Sequence, residues 1–164
     1  MKKILFLVVV LLVLIPSVKS QMMYDSAIRF GIGAMVGIPM ADAYNLYNLA
    51  YGGSISAEYT LMPALAVTAE GGYTTFTKKK DVQLNKKYID GLAGLKYYLS
   101  DNVYGVLQAG LSLVNSTGTT TTYIVAPGLG FNVTRNIDFS LRYQFQTEKG
   151  YHYSFLALRA GYTF

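Results

Sequence analysis

Leu156-Ala157-Leu158-Arg159-Ala160-Gly161-Tyr162-Thr163-Phe164 alternates at every step. Leu156, Leu158, Ala160, Tyr162 and Phe164 share one parity, and Ala157, Arg159, Gly161 and Thr163 share the other. A period of two sends successive side chains to opposite faces of a strand. One face is therefore apolar and aromatic, while the other is small, polar and carries a guanidinium. A strand of this kind, ending on an aromatic, predicts the closing strand of a membrane barrel.

The same pattern recurs upstream in seven segments: Ile28 to Ile38, Tyr51 to Leu61, Leu65 to Tyr73, Ile89 to Leu99, Val103 to Leu113, Tyr123 to Val133, and Ile137 to Phe145. Segments of about 10 residues cross a bilayer when tilted near 45°. The prediction is an all-β, eight-stranded, antiparallel, up-and-down transmembrane β-barrel, with no room left for helices. Met62-Pro63, Ser100-Asp101-Asn102 and Thr134-Arg135-Asn136 read as tight turns, whereas Pro39 to Ala50, Thr77 to Lys87 and Asn115 to Thr122 read as longer loops, with Thr147 to Gly150 shorter. Short turns face the periplasm in outer-membrane barrels, which puts both termini on that side. Pro127 lacks a ladder donor and marks a bulge near the outer rim.

Size and charge decide which face is inside. The apolar parity is bulky, rich in Leu, Ile, Phe and Tyr. The other holds Gly31, Gly33, Gly37, Ser54, Ser56, Gly94, Gly110, Gly128 and Gly161. An eight-stranded bore is just wide enough for side chains to fill it, so the small parity points inward. Arg29, Glu58, Glu70, Lys96, Asp138, Arg142 and Arg159 also lie on that parity. A lipid-facing Lys or Arg near the midplane would cost about 2–4 kcal/mol. These seven are read as an ion network in the lumen, because an unpaired buried charge is strongly destabilising. With no Trp and 15 Tyr, tyrosine must supply most of the interfacial girdle, through residues such as Tyr59, Tyr97, Tyr143 and Tyr162.

Residues 1–20 read as a secretory signal peptide and 21–164 as the barrel domain. Lys2 and Lys3 precede an apolar run from Ile4 to Ile15, followed by Pro16 and small residues around Ser17 and Ser20. The run is too short for a helical span of roughly 20 residues. Removing the leader lowers the formal net charge from +5 to +2. The remaining Lys and Arg are dispersed, which argues against a nucleic-acid partner. With no cysteine, stability must come from packing or closed backbone pairing.

The chain resembles the small outer-membrane β-barrel proteins of the OmpA and OmpX type and the broader outer-membrane protein β-barrel domain group. The resemblance is carried by Gly161-Tyr162-Thr163-Phe164, Gly94-Leu95-Lys96-Tyr97-Tyr98 and Ala126-Pro127-Gly128-Leu129-Gly130-Phe131, and it spans Ser26 to Phe164. It implies the outer membrane of a Gram-negative-type bacterium, and a terminal signal at Gly161, Tyr162 and Phe164 that the barrel-assembly machinery recognises. A monomer with a plugged polar lumen and a structural or surface-interaction role is expected. The rival is a narrow, porin-like pore for water, ions or small solutes, gated by Glu58, Glu70, Lys96, Arg142 and Arg159.

Lys78, Lys79, Lys80, Lys86 and Lys87 cluster in the second long loop, where they read as a solvated loop or as contacts to lipopolysaccharide phosphates. His152 and Ser154 invite comparison with barrel acyltransferases, but no Asp is placed to orient the base. No enzyme, catalytic residue or cofactor is therefore expected. The Gly31, Gly33, Gly37 series precedes no helix, which a phosphate-binding loop requires. No His, Cys or carboxylate group has metal-ligand spacing. The Thr119 to Thr122 run reads as loop composition with β propensity.

Overall fold

A strand in hydrocarbon must pair both its edges, because no water is there to satisfy a free N–H or C=O. In the computed structural model, residues 28–78, 87–115, 119–148 and 151–164 are described. They form β1 (Ile28–Ala41), β2 (Tyr47–Met62), β3 (Leu65–Lys78), β4 (Lys87–Tyr98), β5 (Val103–Asn115), β6 (Thr119–Asn132), β7 (Ile137–Glu148) and β8 (Tyr151–Thr163). Each strand pairs antiparallel with the next. β8 returns to β1 through pairs such as Gly33 with Gly161 and Ile38 with Leu156, so the sheet closes. The signal-peptide segment lies outside the described residues.

The last residues bond to both neighbours of β8. Phe164 N–H donates to the Phe30 carbonyl at 2.8 Å, and Thr163 N–H donates to the Asn136 carbonyl at 2.7 Å. The rings of Tyr162 and Phe164 meet edge to face at 5.3 Å on the outer wall. The turns at the same rim are held locally: the Thr134 hydroxyl accepts from the backbone N–H groups of Asn136 and Ile137.

The parity is as the alternation predicts. Phe30, Ile32, Ile55, Leu95, Leu107, Leu129 and Leu141 are exposed on the outer wall, while Glu70, Gln108, Asp138, Arg142 and Arg159 are buried within. Tyr51, Tyr73 and Tyr123 mark one edge of the outward apolar band. Tyr59, Phe131, Tyr162 and Phe164 mark the other.

Several local expectations need correction. A one-turn helix, α1 (Asp42–Leu46), interrupts the first long connection. It forms because Ala43, Leu46 and Tyr47, spaced i, i+3, i+4, can turn together into the mouth of the barrel, where Ala43 and Tyr47 are buried. Thr119 to Thr122 belong to β6 and pair with β5 from Asn115 to Ser112. Their β-branched side chains suit the ladder. Pro127 makes no bulge. It lies midway between Tyr123 and Phe131, and the β6–β7 register runs on unchanged from Val125 with Phe145 to Gly128 with Arg142. The missing donor interrupts the ladder locally without inserting a residue.

Candidate functional site

Inward-facing side chains divide the bore into two zones. At the loop end, Tyr47, Phe76, Tyr88 and Phe155 pack with Ala43, Ala50, Val114 and Ala157 in one apolar cluster, with Met35, Leu46 and Tyr153 against it. Phe76 is its hub, 5.2 Å from the Tyr47 ring, 5.1 Å from Tyr88 and 5.4 Å, edge-on, from Phe155. The expectation of a bore lined only by small and polar groups is thus incomplete. Near the mouth, large buried rings pack against one another inside the bore.

Below this cluster lie the ionised groups, in two linked sets. The carboxylate of Glu58 on β2 accepts from Arg29, its direct cross-strand neighbour on β1. It also accepts from Lys96 Nζ at 2.9 Å and the Tyr98 hydroxyl at 2.8 Å. The Lys96 ammonium sits 4.0 Å from the centre of the Tyr104 ring, within cation–π range.

The second set crosses the bore. Arg142 on β7 donates to Glu70 on β3, the strand diametrically opposite, at 2.7 Å, and to the Gln108 side-chain carbonyl at 3.0 Å. The Gln108 amide donates in turn to the Thr68 hydroxyl at 3.1 Å. Arg159 lies 3.5 Å from both Glu70 and Asp138, and Tyr104 donates its hydroxyl proton to Asp138. Charge-assisted bonds of this kind are among the stronger ones available in a water-poor interior.

Glycine makes the room. Gly33 and Gly161 face each other across the β1–β8 seam. A Cβ on Gly33 would meet the Arg159 guanidinium at 2.6 Å, and one on Gly161 would collide with the Asp138 carboxylate and the same guanidinium. Gly130 likewise gives way to the ring of Tyr104, its partner on β5.

All seven ionised residues expected in the lumen line one internal cavity of about 40 Å³. Asp90 on β4 escaped the sequence reading although its parity places it inward opposite Ile89. It is buried, and the hydroxyls of Thr74 and Ser112 donate to it. Alternation alone would have found it.

The remaining candidates separate. Lys87 lies exposed on β4, just beyond the apolar band and across from Thr75 and Asn115. Lys78 ends β3, and Lys79, Lys80 and Lys86 lie outside the described residues. Ser154 pairs with Phe145 and Met40 on β7 and β1, on the outer-wall parity, and its buried hydroxyl has no partner there. His152 aligns with Thr147 through its backbone, and its side chain lies outside the described atoms. Among the described residues, no cluster of His, Cys, Asp or Glu could hold a metal ion.

The sequence model of a family described as outer membrane protein beta-barrel domain matches residues 7–164. No curated protein sequence matches the chain. Among solved structures, the attachment invasion locus protein Ail of Yersinia pestis is similar, with a TM-score of 0.59, 22% identity, and 84% of this chain and 97% of that one covered. The N-terminal β-barrel domain of Pseudomonas aeruginosa OprF gives a TM-score of 0.59 at 18% identity, covering 83% and 97%. Neisserial surface protein A gives 0.54 at 21% identity, covering 84% and 97%.

Proposed function

The chain belongs to the outer membrane protein beta-barrel domain family, and from that premise we propose that this outer-membrane protein is a plugged, non-conducting barrel acting structurally or through contacts of its external loops. The observation that carries the proposal is the Glu70–Arg142 bridge, which spans the bore between opposite strands beneath the Phe76 cluster. A solute would have to break a buried ion pair and then displace packed rings.

The lysines Lys78, Lys79, Lys80, Lys86 and Lys87 would meet outer-leaflet phosphates, such as those of lipopolysaccharide. The exposed position of Lys87 just above the apolar band supports this. Residues 1–20 would be removed on export, and Gly161, Tyr162 and Phe164 would be read by the barrel-assembly machinery. No catalytic role is assigned.

The test is planar-bilayer recording of the purified barrel. Silence under all applied voltages is expected, and regular unitary openings would overturn the plug. The rival gated pore is favoured by one observation, the cavity among the ion pairs with Arg29 partly exposed at its rim. It predicts openings that change in Glu70→Ala.

A further inference from the structure

The outer wall is not uniformly bulky. Ala57, Ala69, Ala93 and Ala109 stand side by side on β2 to β5 as one cross-strand row, and Gly71 faces Gly91 one row nearer the loops. All six lie on the lipid-facing parity, and they floor a hollow of about 910 Å³ bounded by Phe30, Ile55 and Leu111. Its depth comes from missing side chains: a Cβ on Gly91 would meet nothing within 4 Å, and one on Gly71 would meet only Ile55, at 3.7 Å. On β7 the same parity is filled by Phe139, Leu141, Tyr143 and Phe145, and the wall there has no such relief.

A cation stands over the hollow. Lys87 is exposed on β4, the strand that supplies Gly91 and Ala93, on the same outward parity and beside Thr75 of β3. Four positions separate it from Gly91, about 13 Å along the strand and about 10 Å of depth at a tilt near 40°. That lies within the roughly 15 Å that one leaflet contributes to the hydrocarbon core. The floor extends over both neighbours of β4, so a chain descending vertically from Lys87 reaches it in spite of the tilt, passing the paired Tyr73 and Ile89 at the rim. Lys87 is on the long-loop side, which faces outward in barrels of this kind, and the leaflet is therefore the outer one.

We propose that the hollow and Lys87 together bind one molecule of lipopolysaccharide, with a lipid A phosphate on the Lys87 ammonium and one acyl chain laid on the alanine and glycine floor. The proposal rests on the reading of Lys87 as a phosphate contact and adds the seat of the chain beneath it. An apolar wall alone draws nothing out of hydrocarbon, because a lipid tail is as apolar as the wall. What retains this chain is close dispersion contact with the floor, linked to a headgroup held by charge at the other end. Two linked contacts hold a ligand more tightly than either alone. A second barrel is the competing occupant. Two-fold contact through this face would set two Lys87 ammonium groups on one rim, where like charges repel.

The experiment is native mass spectrometry of the full barrel in detergent, titrated with purified lipid A and with its dephosphorylated form. One lipid A per barrel is expected, with weaker retention of the dephosphorylated form. Lys87→Gln should weaken lipid A binding about fivefold, the usual strength of one lysine near a charged lipid surface. Gly91→Leu fills the hollow and should weaken both lipids by a similar factor, and Ala93→Leu repeats that test at a second position. Gly105→Leu, on the same wall outside the hollow, where an added Cβ meets only Leu129 at 4.0 Å, should bind as the wild type does. Binding weakened in Lys87→Gln but unchanged in Gly91→Leu and Ala93→Leu would overturn the seat and leave the lysine reading intact. Binding unchanged in Lys87→Gln would overturn both. A wild-type dimer that Gly91→Leu abolishes would assign the hollow to a second copy of the chain and overturn the lipid site.

Discussion

Glu70 holds two guanidinium groups, those of Arg142 and Arg159, deep in the bore. Removing its charge leaves the buried Arg142 without its carboxylate and Arg159 with Asp138 alone, and an uncompensated buried charge is the situation in which a pair is most costly to break. Glu70→Gln should lower unfolding stability in detergent micelles by about 3–5 kcal/mol, read from urea midpoints. Glu58→Gln should cost less, since of its two cations Arg29 is partly exposed and can recover water, while Lys96 keeps its position over the Tyr104 ring. Glycines offer a sharper contrast. At Gly161, Val would drive into the Asp138 and Arg159 side chains, and overpacking of this kind costs about 1–3 kcal/mol. At Gly91, on the outer wall, an added Cβ meets nothing within 4 Å. Gly91→Ala should therefore be neutral or stabilising by up to about 1 kcal/mol, through lost freedom of the unfolded chain.

At the scale of elements, what the sequence discloses depends on the length of the pattern. Eight strands are legible because each repeats its alternation several times over, and seven charges fall on one parity for the same reason. α1 has a single turn, and one turn gives no period to detect. Its existence depends on Ala43 and Tyr47 finding the mouth of the barrel, a contact between distant segments. The apolar cluster was hidden likewise: Tyr47, Phe76, Tyr88 and Phe155 belong to four different strands, and only closure brings them to one level. The pairing inside the ion network was equally unreadable, because Glu70 and Arg142 are joined by the diameter of the barrel and not by the chain. The importance of the cluster is open to test. Phe76→Ala removes its hub and should cost about 3–5 kcal/mol, the usual range for a buried Phe. If the cluster is only surface decoration, the urea midpoint will scarcely move.

The whole molecule depends on an inversion of the soluble rule: its exterior is apolar and its interior ionised. The height of that exterior follows from aromatic spacing. Tyr51 and Tyr59 on β2, and Tyr123 and Phe131 on β6, stand eight positions apart on the outward parity. At about 3.3 Å per residue and a tilt near 40°, eight positions give an apolar band about 20 Å tall. Leu95 and Leu141 lie within the band and are about half exposed, whereas Lys87 lies beyond its loop-side edge. Spin labels at Leu95 and Leu141 should therefore be relaxed strongly by oxygen dissolved in the hydrocarbon and weakly by a water-soluble nickel complex. A label at Lys87 should show the reverse. If Leu95 and Leu141 were shielded from oxygen, the bulky face would have to point into the bore. The seven charges would then face lipid, where each Lys or Arg near the midplane costs about 2–4 kcal/mol and no cross-bore partner could offset it.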